Sequence, residues 1–274
     1  MEKYGISVLL SVYKKENAEY LRGAIYSIAR QTRIVDEIVI VEDGPLTDTL
    51  YAELEYLEER FGRLIKRYPL KSNVGLGLAL KYGVERCANE LIARMDTDDI
   101  AISNRIEVQE KAFLEDPFLD IVGGHIEEFD TDPENPHSKR LVPLSHAEIV
   151  KYQKMRSAFN HMTVMFRKSA VLRAGNYEDG LYMEDDLLWH NMIATFSKTK
   201  NIDMILCKVR VGNGMYERRG GLDYFEYYKE AREKMLARKQ ISYKDYILSL
   251  AIQLGVAIVP NNAREFIFKK LLRK

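Results

Sequence analysis

Cysteine is nearly absent: the 274-residue chain has Cys87 and Cys207 and no CxxC. Two isolated thiols exclude a disulfide scaffold and fit a reducing compartment. Neither sign of charge is in excess, with 41 basic residues against 41 acidic ones, so no global field recruits nucleic acid. No apolar run is long enough to span a bilayer; the longest, 247–259, is interrupted by Ser249 and Gln253. The first residues run straight into a strand pattern with no signal peptide, so the cytoplasm is the expected location. There is no GxxxxGK[ST], hence no P-loop. Gly75-x-Gly77 lacks the third glycine of the dinucleotide fingerprint and does not follow the first strand, which argues against a nicotinamide cofactor. No repeat of solenoid length occurs.

What is present centres on residues 91–100. Leu91-Ile92-Ala93-Arg94-Met95 is apolar but for Arg94, and Asp96, Asp98 and Asp99 follow it at once. Such a run reads as a short buried strand, and open α/β sheets deliver functional groups at the carboxyl ends of their strands. Three acids this close repel one another unless a cation sits among them, and carboxylate oxygens suit Mg²⁺ or Mn²⁺. Those ions commonly sit on a diphosphate, which points to a nucleotide-linked substrate. The competing reading is a solvated acidic loop.

Upstream, strands are predicted over 6–12, 37–41 and 64–67, with helices over 17–31, 47–61 and 73–87; a further helix covers 104–114. Four strand–helix units in about 110 residues predict a mostly parallel sheet. Downstream, 130–145 carries three prolines and reads as a surface loop, 161–166 and 204–211 as strands, and 168–174 and 184–196 as helices. From 220 the pattern is helical to the end. The tail alternates Phe266, Ile267, Phe268, Leu271 and Leu272 with Arg264, Lys269, Lys270, Arg273 and Lys274. Such a helix is suited equally to an anionic membrane surface and to ordinary packing with a solvated basic face.

Two more acidic clusters end or begin elements. Glu42-Asp43 closes the second strand, where a carboxylate can accept from a base N–H; Asp43 before Gly44 is equally a turn pair. Glu184-Asp185-Asp186 opens a helix, whose dipole stabilises negative charge, and one of the three is placed to act as a general base. His161 reads as a ligand or a satisfied core residue, and taken alone it slightly favours the core. Arg218-Arg219-Gly220-Gly221 is a basic pair suited to a diphosphate.

In this order and spacing, the segments over residues 5–215 resemble the family 2 inverting glycosyltransferases of the GT-A fold. Residues 6–13 look like the family's first strand, Val41-Glu42-Asp43-Gly44 like its second-strand acidic pair, and residues 73–77 like its Asn/Gly-rich segment. Asp96-Thr97-Asp98 stands at the DXD position, and Glu184-Asp185 followed by Leu188-Trp189 looks like the ED motif. Three departures stand out. Glu42 replaces the usual first Asp, Val12 replaces a Pro, and no QxxRW segment is recognisable.

The resemblance implies an α/β, Rossmann-like GT-A fold, with a mostly parallel sheet flanked by helices. It implies a catalytic domain over 1–215 and a C-terminal helical extension over 216–274. Nucleotide-sugar contacts fall to Ser11, Tyr13, Asp43, Lys71, Asn73, Asp96 and Arg219. Asp98 with Asp96 would hold Mn²⁺ or Mg²⁺, and Asp185 would be the base. Glu184, His161 and Trp189 would meet the acceptor, His161 by a hydrogen bond and Trp189 by its flat apolar face, though Trp189 is equally suited to the core. The implied reaction moves a sugar, with inversion, from a nucleoside diphosphate (UDP foremost) to a hydroxyl of a saccharide, lipid-linked saccharides included, in bacterial surface polysaccharide synthesis. The basic tail then suggests peripheral contact with the inner face of the plasma membrane. The rivals are a Mg²⁺-dependent phosphatase of haloacid-dehalogenase type, whose DxD normally ends its first strand, and a non-catalytic nucleotide-sugar binding module.

Overall fold

Residues Ile6–Val12 are so uniformly apolar because the strand they form, β1, is covered on both faces. Ile6, Val8, Leu10 and Val12 point into one core and Leu9 into another. The computed structural model describes residues 4–180, 182–211 and 221–259. The first core is closed by α1 (Ala18–Ala29) and α2 (Asp48–Phe61), through Leu21, Ile25, Ile28, Leu50, Leu54 and Leu57 at helical spacing. Asn17 caps α1, its side chain accepting from the amides of Glu19 and Tyr20. The second core is closed by α3 (Leu76–Arg86) through Ala79, Leu80 and Val84.

Strands β2 (Glu37–Glu42), β3 (Ile65–Pro69) and β4 (Leu91–Arg94) join β1 in parallel, in the order β3-β2-β1-β4. The chain builds outward from β1 to β3 and then returns to the other side of β1, so β1 and β4 flank a topological switch point. Ligands bind outside the carboxyl ends of strands at such points.

Beyond β4 the sheet is mixed. The remaining strands are β5 (Ile100–Ala101), β6 (Leu119–Phe129), β7 (Ser138–Arg140), β8 (Met165–Arg167) and β9 (Lys198–Arg210). β8 runs antiparallel between β4 and β6, β6 pairs β9 in parallel, and β5 and β7 add antiparallel edges. The parallel expectation thus describes the first four strands, where helices supply the crossovers; β6 and β7 form a hairpin, which must be antiparallel.

Three predicted elements shift. Residues 161–163 form a 3-10 turn, and the strand predicted over 161–166 starts only at Met165. The loop over 130–145 contains β7. The last strand starts at Lys198 because its inward residues there are polar: buried Thr199 meets His146 Nδ1 (2.9 Å), and Asn201 Nδ2 donates to the carbonyls of Pro143 and Ala158.

Four further helices complete the described chain before its last two: α4 (Arg105–Glu115), α5 (His146–Gln153), α6 (Lys168–Arg173) and α7 (Glu184–Ala194). Then come α8 (Gly221–Ala237) and α9 (Tyr243–Ile258), the latter opened by a Ser242–Asp245 capping box. Ala231 and Met235 of α8 and Ile241 form one buried cluster with Met183 and Leu187. Buried Arg232 donates to Ser249 Oγ (3.1 Å) and to the Lys154 carbonyl. These helices therefore pack directly on the sheet-bearing part. Arg219 and the basic tail from 264 onward lie outside the described residues.

Candidate active site

Each acidic cluster has a different fate. At the end of β2, buried Glu42 accepts from Arg67 Nε at 2.6 Å and so serves the fold. Asp43 accepts from Asn73 Nδ2 (2.9 Å), Val74 N (2.7 Å) and Gly75 N (3.1 Å), tying β2 to the loop that opens α3. Gly44 makes the turn possible: its φ is +85°, and a Cβ there would lie 2.5 Å from Asn73 N. The structure shows the turn role of Asp43: its carboxylate shapes the loop that also carries exposed Lys71. Asn73 contributes through Asp43. At the end of β1, Ser11 is half-buried and Tyr13 exposed.

At the end of β4, Arg94 is buried and its Nη1 lies 2.5 Å from Asp96 Oδ2. Arg105 donates to the carbonyls of Arg94 and Val164, and so fixes the strand end. Asp98 is pushed up to about 6 by burial and by the charge of Asp96. Asp99 is raised well above the usual carboxylate range by burial and by the charges of Asp98 and Asp96, although its Oδ1 accepts from Arg210 N at 2.9 Å. The Oδ2 of Asp99 has no hydrogen-bond partner. The nearby Arg94 charge offsets only part of these shifts. Among the described residues no three His, Cys, Asp or Glu side chains are placed to enclose a metal. Carboxylate oxygens suit Mg²⁺ or Mn²⁺, and Mg²⁺ is usually held by one or two of them and completed by substrate phosphate oxygens. Asp96 and Asp98 therefore fit a divalent cation in their donor chemistry.

The third cluster forms the first turn of α7, where the helix dipole favours anions. Asp186 turns inward, accepts from Gln153 Nε2 at 2.5 Å, and is raised to about 6 by burial. Glu184 is raised to about 8 by burial and the adjacent Asp185. Asp185 is the half-buried member, and its Oδ1 accepts from the amide of Asp186 at 2.8 Å. The turn sits close to α3 because residue 77 is glycine. A Cβ at Gly77 would lie 2.5 Å from the Glu178 carbonyl oxygen and 2.9 Å from Glu184 Cβ.

Arg94, Asp96, His161, Glu184 and Asp185 line a cavity of about 920 Å³. This is near the upper limit of ordinary small-molecule sites, about 300–1,000 Å³. The rest of its wall comes from Tyr152 and Met155 beside α5, Tyr224 and Tyr228 of α8, and Ile252 and Val256 of α9. Ser11, Tyr13, Asp43, Lys71 and Asn73 do not line it. Asp98 and Trp189 do not line it either, so of the sequence-predicted residues the cavity brings together Asp96, His161, Glu184 and Asp185.

His161 Nε2 meets Tyr177 Oη at 2.8 Å, and burial with the nearby Arg94 charge keeps the ring neutral. Of the two roles open to Trp189, the structure takes the core. It is 1 % exposed, 5.4 Å from the Phe159 ring and 5.8 Å from His161, so no ring face meets a ligand. The expectation of a sugar-stacking Trp189 is corrected accordingly. Sequence reasoning passed over Arg94 as an interruption, although a lone Arg in an apolar strand just before three acids signals a buried ion pair. It had no signal for the α8 and α9 wall, which comes from more than 120 residues downstream of the DXD segment.

The haloacid-dehalogenase alternative finds no support in this topology, since the DXD segment follows the fourth strand of the chain. The family model described as Glycosyl transferase family 2 matches residues 7–179. The chain is 37% identical over 266 residues to the amylovoran biosynthesis glycosyltransferase AmsE of Erwinia amylovora, covering 96% of this chain and 98% of that relative. It is 32% identical over 268 residues to the UDP-Gal:alpha-D-GlcNAc-diphosphoundecaprenol beta-1,3-galactosyltransferase of Escherichia coli, covering 98% and 96% respectively. Two solved structures share the fold at low identity. The mannosyltransferase PcManGT of Pyrobaculum calidifontis, in complex with GDP-Man and Mn²⁺, has a TM-score of 0.66 at 13% identity, covering 96% of this chain and 72% of that one. TarS 1–349 of S. aureus in complex with UDP-GlcNAc has 0.62 at 16%, covering 96% and 70%.

Proposed function

Because the chain belongs to glycosyl transferase family 2, and so is a glycosyltransferase, we propose that it moves a sugar from a UDP carrier to a hydroxyl of a lipid-linked saccharide, with inversion. The observation that carries this reading is the meeting of Asp96, from β4, with Glu184 and Asp185, from α7, on one cavity wall. The UDP carrier and the lipid-linked acceptor are supported by the name of the E. coli relative.

In this reading the nucleotide lies over the carboxyl ends of β1 and β2, with the Asp43-ordered loop and Ser11, Tyr13 and Lys71 around it. Asp96 and Asp98 would hold Mn²⁺ or Mg²⁺, and Arg219 would add charge against the diphosphate. The ion, when bound, supplies Lewis-acid neutralisation of charge building on the leaving nucleoside diphosphate. Asp185 takes the proton from the acceptor hydroxyl as its oxygen attacks the anomeric carbon from the face opposite the leaving group. Asp185 stands in the first turn of α7, where the helix dipole favours negative charge. Glu184, largely protonated at neutral pH, donates a hydrogen bond to the acceptor, and neutral His161 offers a second contact.

Among the described residues no helix is long and apolar enough to cross a membrane. α9 nevertheless leaves Ile247, Leu248, Ile252, Leu254 and Ile258 exposed, and the basic-apolar tail follows it in sequence. We assign this region to peripheral contact with an anionic cytoplasmic membrane face, where a lipid-linked acceptor resides.

General-base help is typically worth about 10²–10⁴-fold. Asp185→Asn should therefore lose at least a hundredfold in transfer to a lipid-linked saccharide while binding UDP with Mn²⁺ normally. Near-normal transfer by that variant would remove Asp185 from its role.

A further inference from the structure

The guanidinium of Arg94 is poorly matched to the carboxylate it touches. Arg94 ends the otherwise apolar strand β4, is 2 % exposed, and lines the cavity together with Asp96, Glu184 and Asp185. Burying a guanidinium is costly unless a partner meets it squarely. Asp96 does not: Nη1 lies 2.5 Å from Oδ2 without the alignment of a hydrogen bond, and Nε has no hydrogen-bond partner. Arginine holds a carboxylate most firmly as a fork, through two parallel N–H···O bonds. A single misaligned contact is exchangeable. The backbone here is fixed, since Arg94 N donates to the Val164 carbonyl at 2.9 Å and the Arg94 carbonyl accepts from Arg105 Nη2 at 2.7 Å. Asp96 is the more open partner, with 30 % of its side chain exposed, so a cation can reach it while Arg94 stays behind it. The Arg94 charge also reaches Asp98, Asp99 and, on α7, Glu184. Arg210 reaches Asp98 as well, but its guanidinium lies against the rings of Tyr20 and Phe129, 3.8 and 4.6 Å from their centroids.

We propose that Arg94 is a built-in competitor for the divalent cation at Asp96, and that it makes entry of the ion depend on the nucleoside diphosphate that arrives with it. The inference rests on the donor reading and adds what sets the order of binding. A bare dication meets the repulsion of the guanidinium and finds one Asp96 oxygen already occupied. A diphosphate brings negative charge that offsets Arg94, and its oxygens complete the coordination of the ion. Arg94 is thus a positioning residue, acting on the ion through Asp96. Coupling of this kind is reciprocal: whatever the nucleotide does for the affinity of the ion, the ion does for the nucleotide.

The test titrates Mn²⁺ calorimetrically into the full chain, with and without UDP. Wild type should bind Mn²⁺ alone at least tenfold more weakly than with UDP. Arg94→Met should bind Mn²⁺ alone at least fivefold tighter than wild type, a gain that loss of a merely structural arginine would not give. Arg94→Lys, which keeps the charge, should stay within twofold of wild type. With UDP present the gain of Arg94→Met should shrink below twofold, and adding Asp98→Ala should abolish it, which places the ion at these acids. Pairing of Mn²⁺ with UDP in solution is the same for every variant and cancels in the comparison. A folded Arg94→Met whose affinity for Mn²⁺ alone is unchanged or weaker would overturn the proposal. So would wild type binding Mn²⁺ alone as tightly as with UDP, a result that needs no variant to fold. No binding of UDP by the wild type, with or without Mn²⁺, would instead overturn the donor reading, and the comparison in Mn²⁺ alone would still decide whether Arg94 opposes the ion.

Discussion

Glu184 and Asp185 are neighbours in sequence, yet burial gives them different tasks. Glu184 carries a carboxyl raised from 4.5 to about 8, with burial the larger cause and Asp185 the smaller. A folded-state value above the unfolded one means that the stabilising form is protonated. Its contribution is complete below about pH 4.5 and is lost as pH rises through about 8, at about 1.4 kcal/mol for each unit of separation. Glu184→Gln bears no charge at any pH. Its stability relative to wild type should therefore climb by a few kcal/mol between pH 5 and 8, seen as a melting-temperature gap that widens by several degrees. Parallel melting curves across that range would show that Glu184 is ionised throughout. His190 shifts the opposite way, to about 3, because burial and the nearby Arg232 charge disfavour its protonation. It acts in both proteins and cancels in the difference.

At the scale of elements, the approach of α3 to the first turn of α7 depends on a missing side chain. Gly77→Ala would drive a methyl against the Glu178 carbonyl, which is backbone and cannot swing aside. Overpacking of this kind costs about 1–3 kcal/mol. The variant should melt lower and bind UDP more weakly, since α3 carries the loop held by Asp43. Gly255→Ala in α9 meets open space and should be neutral or gain up to about 1 kcal/mol from helix propensity. Equal melting temperatures for the two variants would contradict the close approach. Much of this was legible in the sequence. The strand over 6–12 has the bounds of β1, and the acids stand where β2, β4 and α7 place them, because apolar runs and abrupt polar stops are local signals. The start of β9 was not legible, since Thr199 and Asn201 are buried by long-range hydrogen bonds that leave no periodic trace. Trp189 shows the same limit in reverse: a flat aromatic beside a catalytic motif reads as a sugar platform until packing puts it in the core.

At the scale of the whole molecule, the division expected at residue 215 meets a shared core. α8 and α9 bury Met183 and Leu187 next to the acidic first turn of α7, and Arg232 places its charge near Asp186. We expect a fragment ending at 215 to melt well below the full chain, since exposing a buried Leu or Met costs about 1.5–3 kcal/mol each. Equal melting of the two would make the C-terminal helices an independent appendage. The cavity wall was the least legible feature of all. Nothing in an apolar run over 247–259 says that part of it lines the same cavity as Asp185.

The central claim is that the acids at the end of β4 bind a divalent ion together with a nucleoside diphosphate. Melting of the purified chain with UDP, GDP and ADP, each with and without Mn²⁺, tests it most directly. A ligand at about 100 times its dissociation constant adds about 2.7 kcal/mol to folded-state stability. The account predicts a shift of several degrees with UDP that requires Mn²⁺ and vanishes in Asp98→Ala. No shift with any of the three nucleotides, or a UDP shift indifferent to Mn²⁺ and to Asp98, would contradict it.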